Sequence, residues 1–314
     1  MEKDFHYDII YSIARLTECA NPEIIAHASQ FVDDNSERWF GEDVPFPEKI
    51  PYSTGGHYFP IMTQSMSVLS VDPYIQKFVY IPFHFLPGNN NVTIQGKKNP
   101  LSTTPGSINA IQLLQKALAS NDPYRIGIAL HTFADTWSHQ NFTGMEEDWN
   151  AVYPWYDISK NLAPHIGHAN AGHSPDVISE IWTDHRLAVE DRQVDNKTRA
   201  LEAILLIYLT LNKHTGKGPG LDKVKDDYTK IVGAADFNSR IATVASLIRD
   251  KFGEEVPSYD SNVWTSAVLK EKGFVVKKSF EFRDEVALKT SDWYKFNQAA
   301  KAQLAFVLSL IEDL

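Results

Sequence analysis

Apolar residues recur three and four positions apart along most of this chain, a spacing that predicts helices joined by irregular loops. Phe5, Ile9, Ile13 and Leu16 mark a first helix over Asp4 to Cys19, with Asp4 placed to cap it. Asn21-Pro22-Glu23 is a start signal, with Asn as N-cap, Pro at the first helical position and an acid in the first turn. The helix it opens, IIAHASQFVDD, ends in Asp33 and Asp34, an acidic pair that opposes the helix dipole and asks for a compensating cation. Ser107 caps INAIQLLQKALAS. Asp122-Pro123 opens the stretch Tyr124 to Phe142, which Asn141 to Gly144 closes. Ser174-Pro175-Asp176 is expected to start another helix carrying Trp182, Asp184, His185 and Arg186. Further helices are expected over Ala200 to Asn212, Asp236 to Lys251 and Ser291 to Leu314.

The intervening segments lack that periodicity. Asn35 to Pro100 is rich in Pro, Gly and aromatics and reads as irregular structure with short strands or turns. Asn89 to Pro105 reads as an exposed loop, His214 to Gly220 as a turn and Lys270 to Lys278 as a basic surface stretch. Met145 to Leu162 interleaves Trp149, Tyr153, Trp155 and Tyr156 with acids, and is expected to pack over the helices. With no repeat and only gradual shifts in composition, residues 1–314 form one all-α, multi-helix domain with long irregular loops.

Composition narrows the function. Thirty basic and forty acidic residues give a net charge of −10, which weighs against a general grip on duplex nucleic acid. A pocket for one phosphate stays compatible, because bound metal ions bring their own positive charge. No apolar run is long enough to span a membrane, and the start MEKDFHYDII has no basic segment followed by an apolar run, so no secretory signal is expected. The single cysteine, Cys19, excludes an internal disulfide, and the expected compartment is the cytoplasm. No Walker loop, GxSxG elbow or dinucleotide fingerprint is present.

The chemistry lies in the histidines. On a helix over Tyr124 to Phe142, His131, Asp135 and His139 fall at i, i+4 and i+8 on one face. Gly127, Leu130, Ala134 and Trp137 form an adjacent face that is small or apolar and suits a neighbouring helix. Such a ladder chelates a metal such as zinc, whose N and O ligands sit at about 2.0–2.2 Å. The plainer alternative is a core helix with a hydrogen-bonded polar stripe. The loop Pro164 to Asp176 holds His165, His168 and His173 among glycines that let side chains converge. His84, set among aromatics in Phe78 to Phe85, reads on its own as a core residue.

Taken in order, these clusters resemble the all-α superfamily of zinc-dependent phospholipases C and single-strand-specific nucleases. His6 in DFHYDIIYSIA sits where that superfamily has a histidine in the first turn of its N-terminal helix. Ala28 to Asp33 looks like its Ala-Ser/Thr-aromatic-x-Asp segment, and Pro82-Phe83-His84-Phe85 like its Pro-Leu-His-aromatic stretch. His131 and Asp135 match its His-x₃-Asp, with His139 four residues on where the family usually has six. His168, His173 and Asp176 are the candidates for its closing pair. Family members use the amino group of an N-terminal Trp as a ligand, whereas this sequence begins at Met1. The chain is also similar to bacterial proteins of an uncharacterised family that share the DFHY, IPFHF, HTFADTWSHQ and GHANAGH stretches.

The resemblance implies a phospholipase C-like fold and hydrolysis of a small phosphoester at a cluster of two or three divalent ions, zinc first, with manganese or iron as alternatives. It implies that His6, Asp33, His84, His131, Asp135, His139, His168 and His173 bind metal, that Asp135 bridges, and that Asp33 orients the attacking water. Asp34 either supports a ligating imidazole or exchanges roles with Asp33. Two other classes stay open: a His-Asp-type phosphohydrolase, for which only the reversed pair Asp184-His185 is found, and a non-catalytic protein with one closed structural metal.

Overall fold

The computed structural model describes residues 1–36, 50–65, 68–88, 93–94, 96–157, 159–272 and 279–311. Ten helices dominate the described residues. Helix α1 opens as a π-helix, Asp4–Ile9, and continues as an α-helix, Ile10–Leu16. Helix α2 is Pro22–Asp34, and α3 runs through three short pieces, Pro73–Ile75, Gln76–Tyr80 and Ile81–Phe83. Helices α4 (Ile108–Ala119) and α5 (Pro123–Ser138) follow. The C-terminal half supplies α6 (Asn196–Thr215), α7 (Leu221–Gly233), α8 (Phe237–Phe252), α9 (Val263–Val268) and α10 (Asp292–Ile311). Three antiparallel pairs decorate the helices: β1 (Ile50–Pro51) with β2 (His57–Tyr58), β3 (Ile181–Thr183) with β4 (Gln193–Asp195), and β5 (Leu269–Lys272) with β6 (Ser279–Phe282). Among the described residues no helix is long and apolar enough to cross a membrane.

Helix α5 is the axis of the molecule. Asp122 caps it by accepting from the backbone N–H groups of Tyr124 and Arg125, and Pro123 occupies its first turn. Every residue from Ile126 to Ser138 is buried, so the helix must be covered on all sides. Ile126, Leu130, Phe133 and Trp137 join one apolar cluster with α1, α4, α6, α7 and α8. Tyr124 and Ile128 join a second with α2, α3, α9 and α10. The tightest approach is to α2. A Cβ on Gly127 would lie 2.3 Å from the Ile25 carbonyl oxygen and 2.7 Å from the Ala28 Cβ. Gly127→Ala is therefore expected to destabilise the protein, because backbone must move. The helix propensity gained, about 1 kcal/mol, offsets only part of an over-packing cost of about 1–3 kcal/mol. Urea unfolding measures the difference.

Several expectations about the chain change. Lys3, not Asp4, holds the N-cap position of α1, and the buried Asp4 carboxylate instead pairs with Arg240 of α8. Asn21 precedes α2 in the left-handed conformation and makes no side-chain cap. Pro82-Phe83-His84 closes a helix where irregular structure was expected, and α7 lies in a stretch for which no element had been named. Ser174 to Asp176 opens no helix. The chain turns there into the β3–β4 hairpin, in which Asp184 and Arg186 form a buried ion pair at 2.7 Å. Within Asn89 to Pro105, where an exposed loop was expected, Ile94, Ser102 and Thr103 are buried. Residues 37–49, 89–92, 273–278 and 312–314, parts of the segments discussed above, lie outside the described residues.

Candidate metal centre

The candidate donors come from five places in the chain. His6 stands on the π-helical turn of α1 and Asp33 on the last turn of α2. His84 follows the end of α3, and His131 and Asp135 lie on α5, with His139 at its C-cap. His168 and Asp176 come from the loop before β3. Each place is fixed by packing. Gln303 of α10 donates to the Pro82 carbonyl at 3.0 Å and to Thr132 at 2.8 Å, while Thr132 donates to the Phe83 carbonyl at 2.8 Å. That network ties the end of α3 to α5 and sets His84 beside His131. The His168 loop is held through Gly167, whose φ of +52° suits glycine and whose missing Cβ would lie 2.3 Å from the Phe85 ring. Phe85 stacks in turn on His139, with ring centroids 4.4 Å apart.

Asp135 is the hub. Its Oδ2 lies 3.2 Å from His84 Nδ1 and 3.1 Å from His131 Nε2, and those two nitrogens are 3.2 Å apart. Asp33 Oδ1 closes the group at 3.6 Å from His131 Nε2 and 3.9 Å from His84 Nδ1. The other oxygen of Asp135 lies 3.1 Å from His6 Nε2, whose ring stacks on that of His131 at 3.9 Å. A third group forms around Asp176, with Oδ1 3.2 Å from His139 Nε2 and Oδ2 3.1 Å from His168 Nε2. The α-amino group of Met1 sits between the hubs, 2.7 Å from Asp135 Oδ1 and 3.1 Å from Asp176 Oδ1.

Three of the imidazoles have their proton positions fixed by a carbonyl, which can only accept. His84 Nε2 lies 2.8 Å from the Thr63 carbonyl, His139 Nδ1 2.8 Å from that of His84, and His168 Nδ1 2.8 Å from that of Gly172. Each ring in its neutral form therefore turns a lone pair towards a carboxylate oxygen. Two such groups face one another favourably only with a cation or a proton between them. A ligating histidine held by a backbone carbonyl on its second nitrogen is the usual arrangement at metal sites. The separations fit as well. Ligand atoms at about 2.0–2.1 Å from a tetrahedral ion are about 3.3 Å apart, close to the 3.1–3.2 Å edges here.

The electrostatics divide the rings: against their burial, Asp135 and Asp33 raise His84 and Asp176 raises His168, whereas His6 and His131 are lowered. Burial holds His6 down to about 4, helped by His131 and the Met1 amine, and holds His131 down to about 4 against the pull of Asp135. Both rings are thus neutral, the form that binds a metal. Burial works against the charged form of Asp135, but His139, the Met1 amine, His131 and His6 hold it well below the usual carboxylate range. His168 and the Met1 amine do the same for Asp176 against its burial. Asp33 is raised, first by burial and then by Asp135, against the opposing pull of His6 and His84. Burial disfavours the Met1 ammonium, yet Asp135, Asp176 and Asp33 push it up to about 11.

Of the residues singled out in the sequence, His6, Asp33, His84, His131, Asp135, His139 and His168 converge here, and Asp176 joins them. Asp34 does not: it faces away and accepts from Tyr259 at 2.8 Å and from Gln30 at 3.3 Å. His173 is exposed and lines the adjoining cavity without entering a donor group, and His165 lies 3.7 Å from Asp148. The Met1 amine was not anticipated as a neighbour of these residues. Its one signal was the N-terminal amine of the resembled superfamily. A cavity of about 310 Å³ opens beside the donors, walled by Tyr80, Phe85, Pro164 and Ile166 with Ser65 and Ser70.

The chain matches, over residues 1–311, the model of a family of unknown function, DUF6765, and belongs to that family. No curated protein and no solved structure matches it.

Proposed function

We propose that this member of the family is a metal-dependent phosphoester hydrolase working on a small substrate with two or three divalent ions, zinc first and manganese or iron as alternatives. The observation that carries the reading is the set of histidines, each held by a backbone carbonyl on one ring nitrogen, whose other nitrogens face carboxylates in the lining of a cavity. His84, His131, Asp33 and Asp135 would hold one ion, and His139, His168 and Asp176 another. His6, with the second oxygen of Asp135, would hold a third. Bound ions would supply positive charge to phosphoryl oxygens and make a water acidic enough to attack at neutral pH.

The chain's own residues supply the rest. Asp135 offers one oxygen to each of two neighbouring groups and so fixes their spacing. The side chain of Asp33 is 29 % exposed, the most open of the three carboxylates, and we assign it to orient and deprotonate the attacking water. Phe85, Pro164 and Ile166 give an organic group on the phosphate an apolar surface to pack against. A closed structural site would leave no such opening.

Elemental analysis by inductively coupled plasma mass spectrometry, on protein purified without chelator or affinity-tag metal, tests this. Two or three ions per chain are expected, together with hydrolysis of phosphodiesters or phosphomonoesters that chelation abolishes and zinc, manganese or iron restores. Absence of metal after reconstitution with all three, or a single ion without hydrolysis, overturns the proposal.

A further inference from the structure

Asp33 and His84 reach the same group of donors from different elements, with Asp33 Oδ1 and His84 Nδ1 3.9 Å apart. Thr63, a buried residue that donates nothing to that group, bonds to both of their surroundings. Its carbonyl accepts the Nε2 proton of His84 at 2.8 Å. Its hydroxyl donates to the Val32 carbonyl at 2.7 Å and its N–H to the Asn35 carbonyl at 3.1 Å, so the two bonds bracket Asp33 along the backbone. The last carbonyls of a helix have no partner within it. Val32 carries one of them at the end of α2, where the Ser36 N–H turns to Asp34 instead, and the Thr63 hydroxyl satisfies it.

Asn35, at the C-cap of α2 and equally buried, completes the clip. Its amide donates to the Ile61 carbonyl at 2.7 Å and to Thr63 Oγ1 at 3.3 Å. The Ile61 N–H donates in turn to Asn297 of α10 at 2.7 Å, and Asn297 donates to the Trp293 carbonyl at 2.8 Å. The clip is thus anchored to α10, which supplies none of the donors. A buried polar network joined in this way is rigid, because each bond lost strands groups that water does not reach.

We propose that Thr63 and Asn35 are positioning residues that hold Asp33 and His84 at the spacing one ion requires, an inference that rests on the metal-dependent reading above. They fix a helix end and an imidazole against one another. Loss of such support around metal ligands costs about 10–100-fold in metal affinity.

Zinc titration of the full chain in competition with a chromophoric chelator, with folding checked by circular dichroism, tests the assignment. Thr63→Val keeps the volume and the carbonyl that holds His84, but removes the hydroxyl that holds Val32. One ion of the wild-type complement should bind it about tenfold or more weakly, and Asn35→Ala should weaken the same ion. Thr63→Ser restores the hydroxyl and should bind zinc as the wild type does. Ile204→Val truncates the buried core on α6, outside the clip, and should lower stability in urea with zinc affinity unchanged. Unchanged zinc affinity in folded Thr63→Val or Asn35→Ala overturns the proposal, as does an equal fall in Thr63→Ser or Ile204→Val. A wild-type chain that binds no zinc, manganese or iron defeats the metal reading and this inference with it. Zinc bound equally by the wild type and Thr63→Val defeats this inference alone.

Discussion

Asp135→Ala should cost the protein its bound metal and lower phosphoester hydrolysis by about 10³-fold or more, some 4 kcal/mol of transition-state stabilisation. The effect is this large because the residue takes part in two groups at once. One oxygen faces His84 and His131 and the other His6, so its removal dismantles both rather than trimming one. Two controls set the scale. Asp34→Ala, one residue from Asp33, should keep full metal content, since its carboxylate serves Tyr259 and Gln30. His173→Ala should likewise keep its metal, because that exposed ring enters no donor group. Metal content by mass spectrometry and initial rates on a phosphodiester give both numbers. Full metal in Asp135→Ala would overturn the assignment, and loss of metal in Asp34→Ala would show that the wrong member of the acidic pair had been placed in the site.

Much of this arrangement was legible in the sequence, for physical reasons. A helix that opens on Asp122-Pro123 and buries all its faces dictates that His131 and Asp135 point the same way. Periodicity and start signals located α2, α4, α5, α6, α8 and α10. The spacing of the loop histidines was less informative, because it says nothing about which ring turns inward. His168 is selected over His173 by the Gly172 carbonyl that fixes its proton and by the Phe85 ring packed on Gly167, both tertiary facts. The choice between Asp33 and Asp34 was equally hidden. Adjacent residues on a helix point about 100° apart, and only the packing of α2 on α5 says which one faces the histidines. Asp4 misled for a related reason: a carboxylate at a helix start reads as a cap, yet here the partner is more than two hundred residues away.

That distant partner carries the second large expected effect. Asp4 and Arg240 are each 1 % exposed and pair through the guanidinium Nε, while Arg240 Nη1, Arg240 Nη2 and Asp4 Oδ1 find no hydrogen-bond partner among the described residues. Such a pair has surrendered hydration at both ends and recovers it through a single bond, so breaking it from one side strands the other charge. Asp4→Ala should therefore destabilise the fold by about 3–5 kcal/mol in urea unfolding. Replacing both partners with apolar residues, Asp4→Leu with Arg240→Met, should restore most of that loss, since no buried charge is left alone. The pair also has a positional role. Asp4 lies two residues before His6 on a π-helical turn, and Arg240 pulls that turn onto α8. The double variant should thus recover stability while holding less metal at the His6 position, a split between unfolding free energy and ion count that a purely structural pair would not produce. Equal recovery of both would confine Asp4 and Arg240 to the scaffold, and a double variant as unstable as Asp4→Ala would show that the pair contributes packing that apolar side chains do not replace.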